Sequence, residues 1–399
     1  MKYKRLYFMI FLSVAISVSA CSKKDGAQPS VYVPPVEVPP NPSGTTGMTI
    51  SQSLNQESPK TDLDVSVIYT NSTQSSANFK PLPNGYNDNI KSFILPKGYM
   101  VTFAENQNGT GESICYVAAV SDVKANLPSR LVGKVSFVRF FPIKYTNKKG
   151  LCNTNVSESA AQKSSWFYNW GLGATSSETG TYTPMTFGKG AATTANALAF
   201  ITRTDVDHIL SFNEPDNNSQ ANIPIIDTAI AHYKLMLQTG LRLVSPAVEQ
   251  DNSTASTDWL PMFMDAANQQ KLRVDVIALH WYDWGNEKND KATDQLTADA
   301  VLTRFKNYVA KLHAAYPNQS LWFTEYNCNP ARSEAVHELF MKSSTAYLNT
   351  VPYVERYAYF FPKSLPVSSG SPSYTPTPLG SVWYNISSPS AYSSNIIPN

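Results

Sequence analysis

The chain has 399 residues, with 32 Lys or Arg against 30 Asp or Glu and a formal net charge of +2. That balance, with no basic block and no basic amphipathic helix, excludes nucleic acid as a partner. Only 16% of residues are charged while 12% are aromatic, which suits a secreted protein that handles neutral, hydroxyl-rich ligands.

In chain order, Lys2, Lys4 and Arg5 precede a short apolar run over 6–18. The run is too short to span a bilayer, so 1–20 reads as an export signal. Its ending, Val18-Ser19-Ala20-Cys21, resembles a bacterial lipobox, which implies lipid attachment at Cys21. Ordinary cleavage near Ala20 is the alternative. Ser22, in place of an aspartate, favours onward sorting to the outer membrane, where the cell-surface face is expected and the periplasmic face is the alternative. Residues 21–48 are rich in proline and small polar residues, cannot build a core, and read as an extended stalk.

Short alternating runs follow at 65–69, 90–95, 99–105, 113–120 and 134–141, separated by turns such as Pro83-Asn84-Gly85. They predict a β module over 49–145, with 146–163 as a linker. Beyond Cys21 the cysteines are Cys115, Cys152 and Cys328, so at most one disulfide forms within the chain, and the sequence does not choose the pair.

From 164 to 399 strands alternate with helices. The strands are expected at 166–171, 181–190, 209–216, 242–248, 274–283, 320–328 and 354–362, with amphipathic helices at 227–240, 257–270, 297–316 and 334–349. This alternation predicts parallel strands joined by crossovers, and the repeat number suits a (β/α)8 barrel. Seven strands are clear; the eighth is sought between Trp170 and Leu210. Asn213-Glu214, Ser245, His280 with Tyr282, and Glu325 all fall at C-terminal strand ends, the face on which such barrels carry chemistry.

Glu214 and Glu325 lie three strands apart, on facing sides of the barrel mouth. Two carboxyl groups so placed can protonate a glycosidic oxygen and meet the oxocarbenium-like carbon, with retention if they converge to about 5–5.5 Å. Asn213 is placed to bond a sugar 2-hydroxyl, and Tyr282 to hold one oxygen of Glu325. A less polar setting for Glu214 is expected to raise its pKa. Trp170, Trp281, Trp284, Tyr326 and Tyr359 offer flat faces for sugar rings. Asp216 and Asp283 read first as turn or cap residues. There is no HExxH pattern, and Gly188-Lys189-Gly190 lacks the upstream glycine of a phosphate loop, so neither a metal nor a nucleotide cofactor is expected.

FYNWG, FNEPD, SPAV, WLPMF, LHWYD, WFTEYNC, ERYAYFF and TPLGSVWYN, in that order over about 165–385, together resemble glycoside hydrolase family 128. The resemblance implies a retaining clan A barrel that cleaves β-1,3-glucan. It assigns Glu214 as acid/base and Glu325 as nucleophile, with His280 and Tyr282 as supports. Between the KxSF-like stretches near Ser92 and Ser136, the module resembles the paired Greek keys of βγ-crystallins. That likeness implies a smaller N-terminal all-β domain whose serines pin hairpins, with Asn87-Asp88 as a weak match to a calcium pair.

The expectation is therefore an endo-acting, monomeric, lipid-anchored β-1,3-glucan hydrolase. Two rivals share much of the pattern. One is a surface lipoprotein that binds glycan on a hydrolase fold without cleaving it, and the other is a clan A hydrolase of another β-glucan.

Overall fold

The computed structural model describes residues 47–71 and 79–398. The expected signal at 1–20, Cys21 and nearly all of the stalk lie outside the described residues; Met48, placed at the stalk's end, already opens the first strand.

The first nine strands are β1 (Met48–Ser51), β2 (Lys60–Leu63), β3 (Val67–Thr70), β4 (Phe79–Lys80), β5 (Ser92–Leu95), β6 (Tyr99–Ala104), β7 (Ser113–Ala118), β8 (Val123–Asn126) and β9 (Phe137–Pro142). They form two sheets, ordered β2-β1-β5-β8 and β4-β3-β9-β6-β7. Leaving aside the two-residue β4, the strands fall into two successive motifs of four. Each motif keeps three strands in one sheet and lends its third to the other, so neither sheet closes without both halves of the sequence. Inward-facing Ile50, Phe93, Phe103, Tyr116 and Phe140 fill the space between. Phe93 stands 4.7 Å from Tyr116 and 5.1 Å from Phe103, ring centre to ring centre.

Ser92 pins the β1–β2 hairpin, donating to Ser53 O at 2.6 Å and accepting from Gln56 N at 2.9 Å. Ser136 does not do the same for β6–β7. It sits one residue ahead of its strand, and its hydroxyl goes instead to Asp88 Oδ1 at 2.8 Å. That bond occupies one oxygen of the carboxylate that would head a calcium pair.

Eight further strands are parallel: β10 (Lys149–Leu151), β11 (Trp166–Phe167), β12 (Thr181–Tyr182), β13 (His208–Leu210), β14 (Arg242–Val244), β15 (Val276–Trp281), β16 (Ser320–Tyr326) and β17 (Val354–Tyr359). Their order is β12-β11-β10-β17-β16-β15-β14-β13. A parallel bridge from Met185 to Leu210 joins the two edge strands. Helices α1 (Val156–Ala161), α2 (Thr194–Ala199), α3 (Ile226–Met236), α4 (Trp259–Gln269), α5 (Asp294–Ala315), α6 (Glu334–Thr350) and α7 (Pro378–Asn385) follow the strands in turn, except that none separates β11 from β12. Asn155, Thr193, Thr293, Ser333 and Thr377 start five of them by accepting first-turn backbone N–H groups.

The eighth strand is not where it was sought. It is β10, inside the stretch 146–163 expected to be a linker, which also holds α1. Lys-Gly-Leu has no apolar run to announce it. Gly150 is there because the Trp166 ring lies against it: a Cβ would fall 2.1 Å from that ring. Lys149 is buried with its ammonium on Trp383 O and Ile386 O, both at 2.9 Å, at the C-terminal end of α7. Lys148 does the same for α6 through Val351 O at 2.7 Å.

Inside the barrel Trp166, Tyr168, Leu210, Val244, Val276, Ala278, Trp322 and Ala358 pack in layers. Its N-terminal end is closed by buried charges. Arg242 donates to both oxygens of Glu355 at 2.7 and 2.6 Å, His208 meets Asp207 at 2.7 Å, and Arg356 lies 4.4 Å above the Trp322 ring. The β module packs on the same side of the barrel. Met100, Val117, Phe141 and Ile143 join the barrel's core, and buried Arg139 donates to the carbonyls of Thr239, Phe200 and Arg203. Cys115, Cys152 and Cys328 are all buried free thiols, so none of the three pairs that were open forms.

Candidate active site

Glu214 follows β13 in a loop fixed at several points. Asn213 N donates to Phe187 O at 2.9 Å, Glu214 N to Ala247 O at 2.7 Å, and Ile223 N to Pro215 O at 2.7 Å. Glu214 itself has φ of 41°, a left-handed conformation that costs a non-glycine residue about 1–3 kcal/mol and persists only when neighbours impose it. Pro215 reinforces the turn, because a proline disfavours the right-handed helical region for the residue before it.

Glu325 comes from within β16. The register of β16 slips against β15 between Leu279 and His280, and against β17 between Phe323 and Tyr326. Such irregularities re-aim side chains at strand ends. His280 and Glu325 are direct partners across β15 and β16. Glu325 is 6% exposed and Glu214 9%.

Around Glu325 the donors converge. Its Oε1 accepts from Trp170 Nε1 at 2.9 Å and faces the Tyr168 hydroxyl at 3.1 Å. The other oxygen accepts from the Tyr282 hydroxyl. Burial, and then the charge of Glu325, hold the phenols of Tyr168 and Tyr282 well above the ordinary tyrosine pKa, so both remain donors.

His280 lies between the two carboxylates. Nδ1 is 2.8 Å from Glu214 Oε1, and Nε2 faces Glu325 Oε1 at 3.6 Å, too far for a hydrogen bond. Burial opposes its charge, but the Glu325 carboxylate and the bond to Glu214 outweigh burial and raise its pKa to about 9. The same contact corrects an expectation about Glu214. Burial does push its carboxyl up, yet the hydrogen bond and charge of His280 win, and its pKa is lowered. The site therefore keeps its proton on the histidine–glutamate pair, with the imidazole as its main seat.

Of the aromatic residues expected to face sugar, Trp170 and Trp284 lie at the mouth, Trp284 being 42% exposed. With Phe360 and Tyr282 they make a continuous wall: Trp170 to Phe360 6.2 Å, Phe360 to Tyr282 5.9 Å and Tyr282 to Trp284 5.7 Å between ring centres. Trp281, Tyr326 and Tyr359 do not belong to it. Side chains alternate along a strand. Because His280, Glu325 and Ala358 face inward, their neighbours Trp281, Tyr326 and Tyr359 face the helices. Trp281 and Tyr326 pack on Phe305, and the Tyr359 hydroxyl meets His337 Nδ1 at 2.7 Å.

Asn213 is at the site, with its amide nitrogen on Gln220 Oε1 at 3.2 Å. Asp283 clamps Arg304 and Arg332 beneath the β15 loop, and Asp216 holds the loop after β14 through Glu249 N and Asn252 Nδ2. The sequence reading missed Tyr168, Phe360, Asn217, Glu249 and Gln250 as site residues. Two had a signal: Phe360 is two residues beyond inward Ala358, and Tyr168 two before Trp170. Among the described residues no group of His, Cys, Asp or Glu is arranged to hold a metal ion.

An eight-stranded parallel barrel sheet carrying two carboxylates at its C-terminal mouth, one of them braced by indole and phenol donors, defines a glycoside hydrolase of the (β/α)8 type. A family model for the glycosyl hydrolase catalytic core matches residues 145–381, and the chain belongs to that family. Among solved structures it is similar to a family 128, subgroup I endo-β-1,3-glucanase from Amycolatopsis mediterranei. The complex of that enzyme with laminaritriose is 29% identical with a TM-score of 0.50, covering 60% of this chain and 98% of that one. A mutant of the same enzyme with laminarihexaose is 28% identical at the same TM-score and coverage. No curated protein matches this chain.

Proposed function

We propose that this glycoside hydrolase cleaves β-1,3-glucan within the chain and with retention of configuration. The observation that carries the reading is the setting of Glu325, a buried carboxylate held on both oxygens and separated from Glu214 by one imidazole ring. Similarity to an enzyme solved with laminari-oligosaccharides supports the substrate.

Glu325 attacks the anomeric carbon while the pair of His280 and Glu214 gives its proton to the departing glycosidic oxygen, from Glu214. A glycosyl ester forms on Glu325. Esterification removes the charge that most favours protonated His280, so the pair stays deprotonated. Glu214 then takes a proton from water, the water attacks the anomeric carbon, and Glu325 leaves as carboxylate. Fixed donors to Glu325 need no reorganisation during these steps. The aromatic wall stacks the sugar rings, and Asn213 bonds the 2-hydroxyl.

The reading extends to the whole chain. An export signal over 1–20, a lipid on Cys21 and a stalk to about 48 would carry a monomeric enzyme on the outer membrane, supported by the Val-Ser-Ala-Cys sequence. The exchange of third strands between sheets supports a crystallin-like Greek-key module ahead of the barrel.

Residues 47–399 and their Glu325→Ala variant, incubated with linear β-1,3-glucan, test the reaction. Short oligosaccharides from the first and none from the second are expected. No product from either, with glucan still retarding the protein in an affinity gel, would replace the hydrolase by a surface glycan binder.

A further inference from the structure

Beside the acid/base glutamate stands a third carboxylate that the reaction scheme leaves unused. Glu249 lies just past the Val248–Leu279 bridge, in the loop between β14 and α4. Its backbone N–H is held by the Asp216 carboxylate at 3.3 Å, and Asp216 also accepts from Asn252 Nδ2 at 2.7 Å, so the loop is tied at both ends. The next residue, Gln250, supports the loop after β15: its Oε1 accepts from Tyr282 N at 3.0 Å. The position of Glu249 is therefore coupled to both halves of the site.

The side-chain contacts are informative. Asn217 Nδ2 lies 3.1 Å from Glu249 Oε1 and 3.4 Å from Glu214 Oε2, so one amide spans the two carboxylates. Glu214 Oε1 is taken by His280, which leaves Oε2, held only by that longer contact, to protonate the leaving oxygen. The sugar that departs must then lie against Oε2, on the side where Asn217 and Glu249 stand. Glu249 is half-buried, and among the described residues its Oε2 has no hydrogen-bond partner. A carboxylate oxygen so placed is an acceptor waiting for a hydroxyl.

We propose that Glu249 is a specificity-determining residue of the leaving-group side, accepting a hydroxyl of the glucosyl unit whose oxygen Glu214 protonates. The inference rests on Glu214 being the acid/base. Asn217 fixes the carboxylate's direction, and Asp216 fixes its distance from the mouth. The groups facing Glu249 are Glu214 and Asp216 from the loop after β13 and Asp251 on its own loop. Burial and their like charge raise its pKa, consistent with a carboxylate that gains from a hydroxyl donor.

The test compares two substrates that share the same glucan on the non-leaving side. One is laminarihexaose, whose leaving group is a sugar; the other is a nitrophenyl β-laminaritrioside, whose leaving group has no hydroxyl to offer. Loss of cleavage of both by Glu325→Ala secures the site reading separately. Glu249→Ala is expected to lower kcat/KM for laminarihexaose about 10- to 100-fold, the effect of losing a hydrogen bond to a charged acceptor, and to leave the aryl substrate within about twofold. Activity on the aryl substrate also proves the variant folded. Glu249→Gln, which keeps an accepting oxygen, is expected to recover most of the loss. Equal losses on both substrates, no loss on either, or a glutamine as damaging as alanine would each overturn the proposal.

Discussion

His280 and Glu214 are joined by a 2.8 Å contact between Nδ1 and Oε1; against burial, the Glu325 charge and then this contact raise the imidazole's pKa, while the contact lowers that of the Glu214 carboxyl. An isolated buried glutamate would hold a proton through desolvation alone. Here the pair holds one proton, which rests mainly on the imidazole, and the form that reacts is the one with the proton on the open oxygen of Glu214.

The sign of the pH dependence follows. His280 is raised from 6.5 to about 9, so its contribution to stability is complete below about 6.5 and disappears as pH rises through about 9. Glu214 is lowered, so its contribution is present above the ordinary glutamate value and disappears as pH falls through its lower folded value. Wild type is therefore expected to lose its stability advantage over His280→Asn between pH 6.5 and 9 in urea titrations. The kcat/KM of wild type on β-1,3-glucan should fall about tenfold per unit beyond its alkaline limb, and that limb should move in His280→Asn. An unmoved limb would mean that the imidazole does not store the proton.

The donors to Glu325 are unequal, and their removal should be too. Trp170 Nε1 and the Tyr282 hydroxyl each serve one oxygen without competition. Tyr168 has one proton to share between Glu325 Oε1 at 3.1 Å and Thr324 O at 3.0 Å. A hydrogen bond to a charged group is worth about 1.5–3 kcal/mol. Tyr282→Phe and Trp170→Phe are expected to reduce kcat/KM about 10- to 100-fold, and Tyr168→Phe by clearly less. Steady-state kinetics on one glucan oligosaccharide, with far-UV circular dichroism to verify folding, decides the order.

The parts of this site legible in the sequence were those announced by residue type and strand end: Glu214 after Asn213, Glu325 in a WFTE strand, and His280 with Tyr282 two residues on. Strand alternation, applied consistently, would also have turned Trp281, Tyr326 and Tyr359 away from the sugar, because each is the immediate neighbour of an inward residue. Other features had no local mark. β10 is three residues long and carries a buried lysine and a glycine, so no apolar period exists to find. Asn217 and Glu249 sit in different loops and meet because the Asp216 carboxylate and the Glu214 N–Ala247 O bond tie those loops together. The lowered pKa of Glu214 depends on an imidazole from another strand, which no reading of its own neighbours supplies.

Arg139 offers a test of whether the β module and the barrel are one folding unit. Fully buried, it belongs to β9 of the module, yet its guanidinium serves three barrel carbonyls, those of Thr239, Phe200 and Arg203. The close approach is visible at Gly240, whose φ is 62° and where a Cβ would fall 2.9 Å from Arg139 Cδ. Arg139→Met keeps much of the apolar stem and strands carbonyls that cost about 1–3 kcal/mol each when buried unpaired. A destabilisation of about 3 kcal/mol or more is expected. All 7 tryptophans lie at or beyond residue 166, so fluorescence reports the barrel alone, whereas far-UV circular dichroism reports both parts. In guanidinium titrations the two signals are expected to coincide in wild type, and this module substitution should shift the fluorescence midpoint. A fluorescence transition left in place while the dichroism signal splits would show that the barrel stands without the module, and that Arg139 serves attachment only.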